Sequence, residues 1–485
     1  ESVQINILDY ISIEMAKRYH VVPFGLENGK IKVCFSDVTN KRNFEAVKML
    51  MLNRGLVIDP YVSFISSIDD ILDDLGGSVA TDNMKAMGEE SNITELVDSI
   101  IKTASKKSTS DIHIEPQKDE IRVRYRIDGE LFVATTIAIE KLPQIVGRKE
   151  KQTQVIGRLK AISNMHQEIQ ESQDGRILLY DDYNIRVSSQ RNVYGEKFVL
   201  RLLKKNEDIR QIFDLGFPND EELVRKSFNK KNCITIVAAP TGEGKTTTLY
   251  SIIDYLNRPQ INITTIEDPV EIRIDGLNQI EVDAKASFSS SLRTVLRQDP
   301  DIILVGEIRD RETAEIAMQA GQTGHYVLST IHTIDAVEVI TRLRKIGISD
   351  YDISSTLATA ISQRLVRKIC PNCRKERPFN DQEKKIITSI GEKYGIKYDL
   401  DNAVTYDAVG CAKCNHSGYA GRIACFEILN LDEETKELIM NGASSIEIRK
   451  CALKGTYRPL LVDGINKVVK GITTLDELNR KLRVF

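Results

Sequence analysis

The sequence predicts an α/β protein built on a parallel sheet, preceded by an α+β unit and a small α/β module. Short apolar runs at residues 234–238, 261–267, 302–305 and 326–330 are separated by helix-length segments. That is the spacing of central parallel strands covered on both faces. Closer runs at 112–115, 120–127, 131–137, 177–180, 183–188 and 197–203, with the hairpin turn Asp128-Gly129, instead predict a mostly antiparallel sheet. The chain has 485 residues, too many for a single core, which suggests about three domains.

Taken in order, residues 1–75 form a small module with helical spacing at 5–19 and 44–52. Alternating runs at 21–24 and 31–35 are joined there by the turn Asn28-Gly29. Residues 76–92 collect Gly, Ser, Thr, Asp, Asn and Glu without apolar period and read as a flexible linker. A helix at 94–105, capped by Asn92, opens the α+β (PAS-like) unit 93–205, which holds a second helix at 142–164. Residues 206–217 link it to the segment 218–485, whose alternating strands and helices have the layout of a RecA-like motor core. Within that segment a cysteine-bearing loop spans 370–414, and residues 379–485 are mainly helical.

Hydrophobic residues make up 41% and charged residues 28%, an ordinary globular balance. The net charge of −3, the 6% of aromatics and the absence of Trp argue against a chain that grips nucleic acid. No apolar run approaches the roughly 18–20 residues that span a bilayer, and no signal peptide is visible. Any membrane association is therefore expected to be peripheral, through partners.

The most specific motif is Ala239-Pro-Thr-Gly-Glu-Gly-Lys-Thr-Thr-Thr248. It follows the first central run and precedes the helix-competent residues 246–256, the order of a phosphate-binding P-loop. Pro240, Thr241, Gly242, Glu243, Gly244, Lys245, Thr246 and Thr247 form the candidate nucleotide-binding set. The glycines let backbone N–H groups curl around phosphate oxygens, and the helix N-terminus adds its positive end. Lys245 would reach the β- and γ-phosphates, and the Thr246 hydroxyl would hold Mg²⁺. Ala239 stands where the strict pattern has its first glycine.

Three further clusters end apolar runs. Asp301-Ile-Ile-Leu-Val-Gly-Glu-Ile-Arg-Asp310 delivers Glu307 from a buried strand, as a Mg²⁺ shell requires. In Ile263-Thr-Thr-Ile-Glu-Asp-Pro-Val-Glu271, Pro269 stops the strand and leaves Glu267 and Asp268 at its carboxyl edge, where a carboxylate can polarise an attacking water; a solvated turn is the plain alternative. His325 and His332 bracket the run 326–330 and could sense a γ-phosphate or link it to a neighbouring subunit, although a lone His is as often structural. Arg186, Arg191 and Arg201, on late strands of the α+β unit, could complete a neighbour's site in a ring; surface salt bridges are as ready an explanation for any one of them.

Of eight cysteines, Cys34, Cys233, Cys425 and Cys451 are scattered among apolar or helical neighbours and read as small buried hydrophobes. Cys370-Pro-Asn-Cys373 and Cys411-Ala-Lys-Cys414 are paired CxxC units, the ligand set of a tetrahedral structural Zn²⁺ site. Disulfides would need an oxidising compartment.

Together these motifs resemble the secretion ATPase superfamily, which includes the type II secretion and type IV pilus motor ATPases. The residues that carry the resemblance are Thr265-Ile-Glu-Asp-Pro-Val-Glu271, Leu296-Arg-Gln-Asp-Pro-Asp301, Val305-Gly-Glu-Ile-Arg-Asp310, Thr323-Gly-His325 and Gln363-Arg-Leu-Val-Arg367. Ser110-Asp-Ile-His-Ile-Glu-Pro116, Arg124-Tyr-Arg-Ile-Asp-Gly129, Gln173-Asp-Gly-Arg176 and Tyr194-Gly-Glu196 extend it into the α+β unit. The resemblance implies a homo-hexameric, cytoplasmic ATPase that uses ATP and Mg²⁺ and works at a membrane platform protein. It implies that Glu267 activates water, that Glu307 serves the metal shell and that His325 and His332 belong to a histidine box. It also implies that arginines of the second domain complete a neighbour's site. Ile334, where Asn often follows His-Thr, and the stretch 188–192, which lacks the usual Thr-Leu-Pro, depart from the family pattern. The cysteine loop, with Ser417-Gly-Tyr-Ala-Gly-Arg422, resembles the extension-type pilus and type II secretion members, so pilus assembly is the leading expectation and pseudopilus assembly the alternative. A nucleic-acid translocase and a non-hydrolysing nucleotide sensor are the remaining rivals.

Overall fold

The computed structural model describes residues 10–483 except 12–14, 17–18, 28–29, 37–40, 53–55, 64–67, 69–92, 139–152, 169–170, 181, 205–208, 219, 284–285 and 401–402. Most of the helix expected at 5–19, the turn Asn28-Gly29, the linker 76–92 and the Asn92 cap lie outside the described residues.

The first sheet joins β1 (Val21–Glu27), β2 (Lys30–Phe35) and β3 (Val57–Val62). Helix α1 (Lys41–Leu52) precedes β3 and buries Val47 and Met51 in one core with Ile31, Val33 and Phe35. β3 escaped the sequence reading because Pro60 interrupts it; as an edge strand it tolerates the missing N–H.

Helix α2 (Ile93–Lys106) leads into a second sheet of β4 (Asp111–Pro116), β5 (Glu120–Ile127), β6 (Glu130–Ala138), β7 (Gln173–Ile177), β8 (Tyr183–Asn192) and β9 (Gly195–Lys204). Its order is β6-β5-β4-β9-β8-β7, and every pairing is antiparallel. Strand alternation sends Ile112, Ile114, Val123, Val187, Phe198 and Leu200 into a core with α2 and α3 (Thr153–Ile162). The opposite face carries the arginines. Of the helix expected at 142–164, residues 142–152 lie outside the described residues, and the described part is helical from Thr153 to Ile162. The strand expected at 177–180 is Gln173–Ile177, and Leu178 and Leu179 face solvent. Polar Gln173-Asp-Gly-Arg176 hid that strand, because only pairing with β8 makes it extended.

The third sheet has seven strands in the order β12-β11-β13-β14-β10-β15-β18. After α4 (Glu221–Phe228), β10 (Cys233–Ala238) feeds α5 (Lys245–Leu256). Then come β11 (Ile263–Glu267), β12 (Asn278–Glu281), α6 (Phe288–Val295), β13 (Ile302–Val305), α7 (Arg311–Gln322) and β14 (Tyr326–Ile331). All residues of β10, β11, β13 and β14 are buried, as parallel strands covered by helices must be. Helices α8 (Glu338–Ile346) and α9 (Asp350–Thr356) precede β15 (Leu357–Ile369), which is parallel to β10.

The C-terminal part is less helical than expected. β16 (Arg374–Pro378) and β17 (Val404–Ala408) flank α10 (Asp381–Lys393) and pair as a hairpin. β18 (Tyr419–Asn430) runs antiparallel to β15 and closes the large sheet. Polar Ser362, Gln363, Arg364, Arg367 and Lys368 disguise β15 as a surface segment, although its long pairing with β18 makes it extended. Helices α11 (Glu433–Met440), α12 (Ser445–Ala452), α13 (Leu460–Val469) and α14 (Leu475–Leu482) finish the chain, α13 and α14 packing on β18 and β15. Among the described residues no helix is long and apolar enough to cross a membrane.

Truncating the fully buried Ile303 to Ala should destabilise the protein by about 2–5 kcal/mol. The same change at exposed Ile446 should stay within about 0.5 kcal/mol. Urea unfolding of the two variants checks the assignment of the core.

Candidate functional site

The P-loop is the turn between β10 and α5. Gly242 (φ 78°) and Gly244 (φ 82°) both take the left-handed conformation, which glycine adopts without strain. Gly244 immediately precedes α5, so the backbone N–H groups of Lys245 and Thr246 open the helix without intrahelical partners. Lys245 donates to the loop's own carbonyls, Ala239 O at 2.9 Å and Pro240 O at 3.3 Å. Ala239 is fully buried, so its methyl group fits where the strict pattern has glycine. Burial lowers the Lys245 ammonium pKa, while nearby Glu307 opposes the shift.

Glu307 leaves β13 one residue past Gly306, whose N–H donates to Ile266 O at 2.8 Å. Its carboxylate pairs with Arg309 and lies 3.7 Å from His332 Nε2. β14 is inserted between β10 and β13, so His332 at its carboxyl end stands between the P-loop and Glu307. Burial, then the Lys245 ammonium, hold the His332 imidazole below its ordinary pKa, which keeps it neutral near pH 7.

The two glutamates after β11 have different surroundings. Glu267 is buried and saturated by neutral donors: the Tyr250 hydroxyl, Thr265 Oγ1 at 2.6 Å and Gln279 Nε2 at 3.3 Å. The Tyr250 hydroxyl also accepts the Glu271 N–H at 3.2 Å, which pins the turn after β11 to α5. Glu271 instead lies near the Thr246 hydroxyl, the side chain expected on the metal. Burial raises the Glu271 pKa, with Arg186 the strongest opposing charge. Sequence reasoning stopped at the last strand residue. The structure brings the carboxylate four residues later to the P-loop.

The remaining expected residues divide. Arg176, Arg186 and Arg201 are direct cross-strand neighbours on β7, β8 and β9, and the same row continues through Asp111 on β4 to Arg126 on β5. Arg201 donates to Asp111 at 3.0 Å. Arg186 lies in the field of Glu271 and Glu281, so these arginines face the chain's own third sheet. Within this chain the nearest acidic groups acting on Arg186 are those that follow or lie beside β11. Arg191 lies opposite Glu196 beside the β8–β9 turn, exposed and five residues along from Arg186, and does not join them. His325 is also outside the cluster. It precedes β14 at the end opposite His332, about 20 Å away at strand rise, and its Nδ1 lies 3.0 Å from Ala320 O.

Sulfur atoms of Cys370, Cys373, Cys411 and Cys414 all lie within 4.8 Å of one another. Cys414 Sγ is 3.8 Å from both Cys373 Sγ and Cys411 Sγ. A tetrahedron with Zn–S bonds of about 2.3 Å has edges of about 3.8 Å, so the spacing fits zinc. The N–H groups of Gly410, Cys411 and Gly418 donate to these sulfurs at 3.2–3.3 Å, as thiolates require. Of the scattered cysteines, Cys233, Cys425 and Cys451 are buried and Cys34 is half-buried.

A family model described as Type II/IV secretion system protein matches residues 86–480, and an MshEN domain model matches residues 1–82. The chain is 36% identical to the type IV pilus assembly ATPase PilB of Thermus thermophilus, covering 96% of this chain and 53% of that protein, about half its length. It is 35% identical to type II secretion system protein E of Aeromonas hydrophila, covering 94% of this chain and 90% of the relative. The solved structure of the pilus retraction motor PilT with bound ADP is similar over 78% of this chain and 94% of its own, with a TM-score of 0.52 at 25% identity. A family model that spans most of the chain, on a sheet whose carboxyl edge gathers a P-loop, two glutamates and a histidine, establishes that this protein belongs to the type II/IV secretion system protein family.

Proposed function

We propose that this chain is an ATPase whose hydrolysis drives type IV pilus assembly, working as a homo-hexamer on the cytoplasmic face of a membrane and held there by a platform protein. The pilus assembly ATPases and the type II secretion protein among its relatives support that reading. The observation that carries the chemistry is the meeting of Lys245, Thr246, Glu271, Glu307 and His332 at one sheet edge.

The residues have distinct tasks. Backbone N–H groups around Gly242 and Gly244 cradle the phosphates, and Lys245 exchanges its loop carbonyls for β- and γ-phosphate oxygens. Thr246 and Glu307 would hold Mg²⁺, which when bound offsets charge on the phosphates. Glu271, rather than Glu267, accepts the proton of the attacking water, because it lies at Thr246 with an acceptor that burial makes more basic. Neutral His332 donates to phosphate without adding a second cation beside Lys245. Arg186, Arg201 and Arg176 form a cationic row. Like charges directly opposite one another weaken a sheet; Asp111 offsets Arg201, and Arg186 is left to Glu271, Glu281 and, when bound, a triphosphate. The four cysteines hold a structural zinc ion that closes the hairpin loop of β16 and β17.

Glu271→Gln should cut steady-state ATP turnover at least 100-fold while nucleotide still binds, and Glu267→Gln should cost less than tenfold. The reverse order would return the base role to Glu267. Turnover of the parent protein should fall on the acid side with an apparent pKa above the ordinary glutamate value, since burial raises Glu271. A pH–rate profile between about pH 5 and 8 reads this; an acid limb at or below 4.5 contradicts it. The purified protein should carry about one zinc ion per chain by elemental analysis, and Cys373→Ser with Cys414→Ser should release it and lower the melting temperature. Zinc-free parent protein of equal stability would exclude the metal. Deletion of the gene should abolish surface pili and spare protein secretion; the opposite pattern favours the secretion reading.

A further inference from the structure

Glu243 places an anion inside the loop that would hold a triphosphate, an electrostatic cost unless its charge is engaged elsewhere. It is engaged elsewhere. Its Oε2 accepts the Leu365 N–H at 2.6 Å, and its Oε1 lies 3.5 Å from Lys481 Nζ. The loop backbone is held as well, because Gln363 Nε2 donates to the Glu243 carbonyl at 2.6 Å. A Cβ at Gly244 would stand 3.3 Å from that same nitrogen, so loop and strand are closely packed. Gln363, Leu365 and Arg367 share one face of β15 by strand periodicity.

Arg367 continues the connection. Its Nε and Nη2 donate to Glu477 of α14 at 3.0 and 2.7 Å. Arg480 grips the same carboxylate with two bonds of 2.7 Å. The Glu477 side chain is wholly buried, and two guanidinium forks compensate it, so α14 is fastened to β15. This helix then makes outward contacts from successive residues. Lys481 meets the P-loop, and Arg480 pairs with Glu130 at the start of β6 in the second sheet. The adjoining turn is held as well, because Asp128 accepts the Gly421 N–H at 2.7 Å and lies 3.8 Å from Arg422.

We propose that Glu243 is a positioning residue that ties the phosphate loop to α14, and through Arg480 to the β5–β6 hairpin, so that displacing the hairpin changes nucleotide affinity. The proposal rests on the ATPase reading. In that reading, motion of the second sheet against the third is transmitted to the P-loop by side chains rather than only by the nucleotide between them.

Binding of a fluorescent ADP analogue to the full chain, with steady-state turnover, tests it. Lys481→Ala and Glu243→Gln should each raise Kd and the KM for ATP at least threefold and change kcat less than twofold. Glu243→Gln keeps an acceptor for the Leu365 N–H, so the double variant should be no weaker than either single. Lys481→Arg should retain parent affinity, and thermal melts identify any variant that unfolds. Glu130→Ala, in a residue remote from the phosphates, should raise Kd at least twofold, and not further once Lys481 is Ala. Additive effects of the two P-loop variants, or a Kd unchanged by Glu130→Ala in a folded protein, overturn the proposal. Lys245→Ala separates the two levels of argument: if it binds and hydrolyses nucleotide like the parent, the ATPase reading itself fails.

Discussion

Parallel pairing of β11, β13, β14 and β10 dictates where chemistry can occur in this protein. Strands that run the same way release their following loops at one edge, so the P-loop, the turn after β11, Glu307 and His332 arrive together without any long-range search. The insertion of β14 between β10 and β13 sets the spacing within that edge. It places the imidazole of His332, from the intervening strand, 3.7 Å from Glu307. The same geometry excludes His325, which sits at the far end of that strand.

Within the edge, solvation separates otherwise similar side chains. Glu267 accepts from a phenol, an alcohol and an amide, a set that engages both carboxylate oxygens and makes it a brace for the turn. Glu271 is set apart by burial, which raises its pKa against the opposing charge of Arg186. The arginine row obeys the same logic. Its charges are aligned by strand register; Asp111 of the same sheet offsets Arg201, and Glu271 and Glu281 act on Arg186. Two sheets with separate cores thus share one electrostatic site.

Much of this was legible in the chain itself, for identifiable reasons. The P-loop announces itself because its glycines, Lys245 and Thr246 must be contiguous. β10, β11, β13 and β14 are continuous apolar runs because both faces are buried. The four cysteines are paired by local spacing. Other features depend on partners far away in sequence. Glu271 reaches the site because Tyr250, on α5, holds its N–H. β15 is extended because β18 pairs with it from some sixty residues downstream. The arginines of β8 and β9 were visible as candidates, but whether they meet their own third sheet or another chain's is a matter of tertiary docking. Arg191 differs from Arg186 only by lying near the turn, which no composition argument detects.

A structure of the full chain with magnesium and a non-hydrolysable ATP analogue tests the central claim most directly. Lys245 is expected on the β- and γ-phosphates, Thr246 and Glu307 at the metal shell, and the Glu271 carboxylate within hydrogen-bond reach of a water in line with the γ-phosphate. Glu271 turned away from that water, with Glu267 released from Tyr250 to take its place, would contradict it.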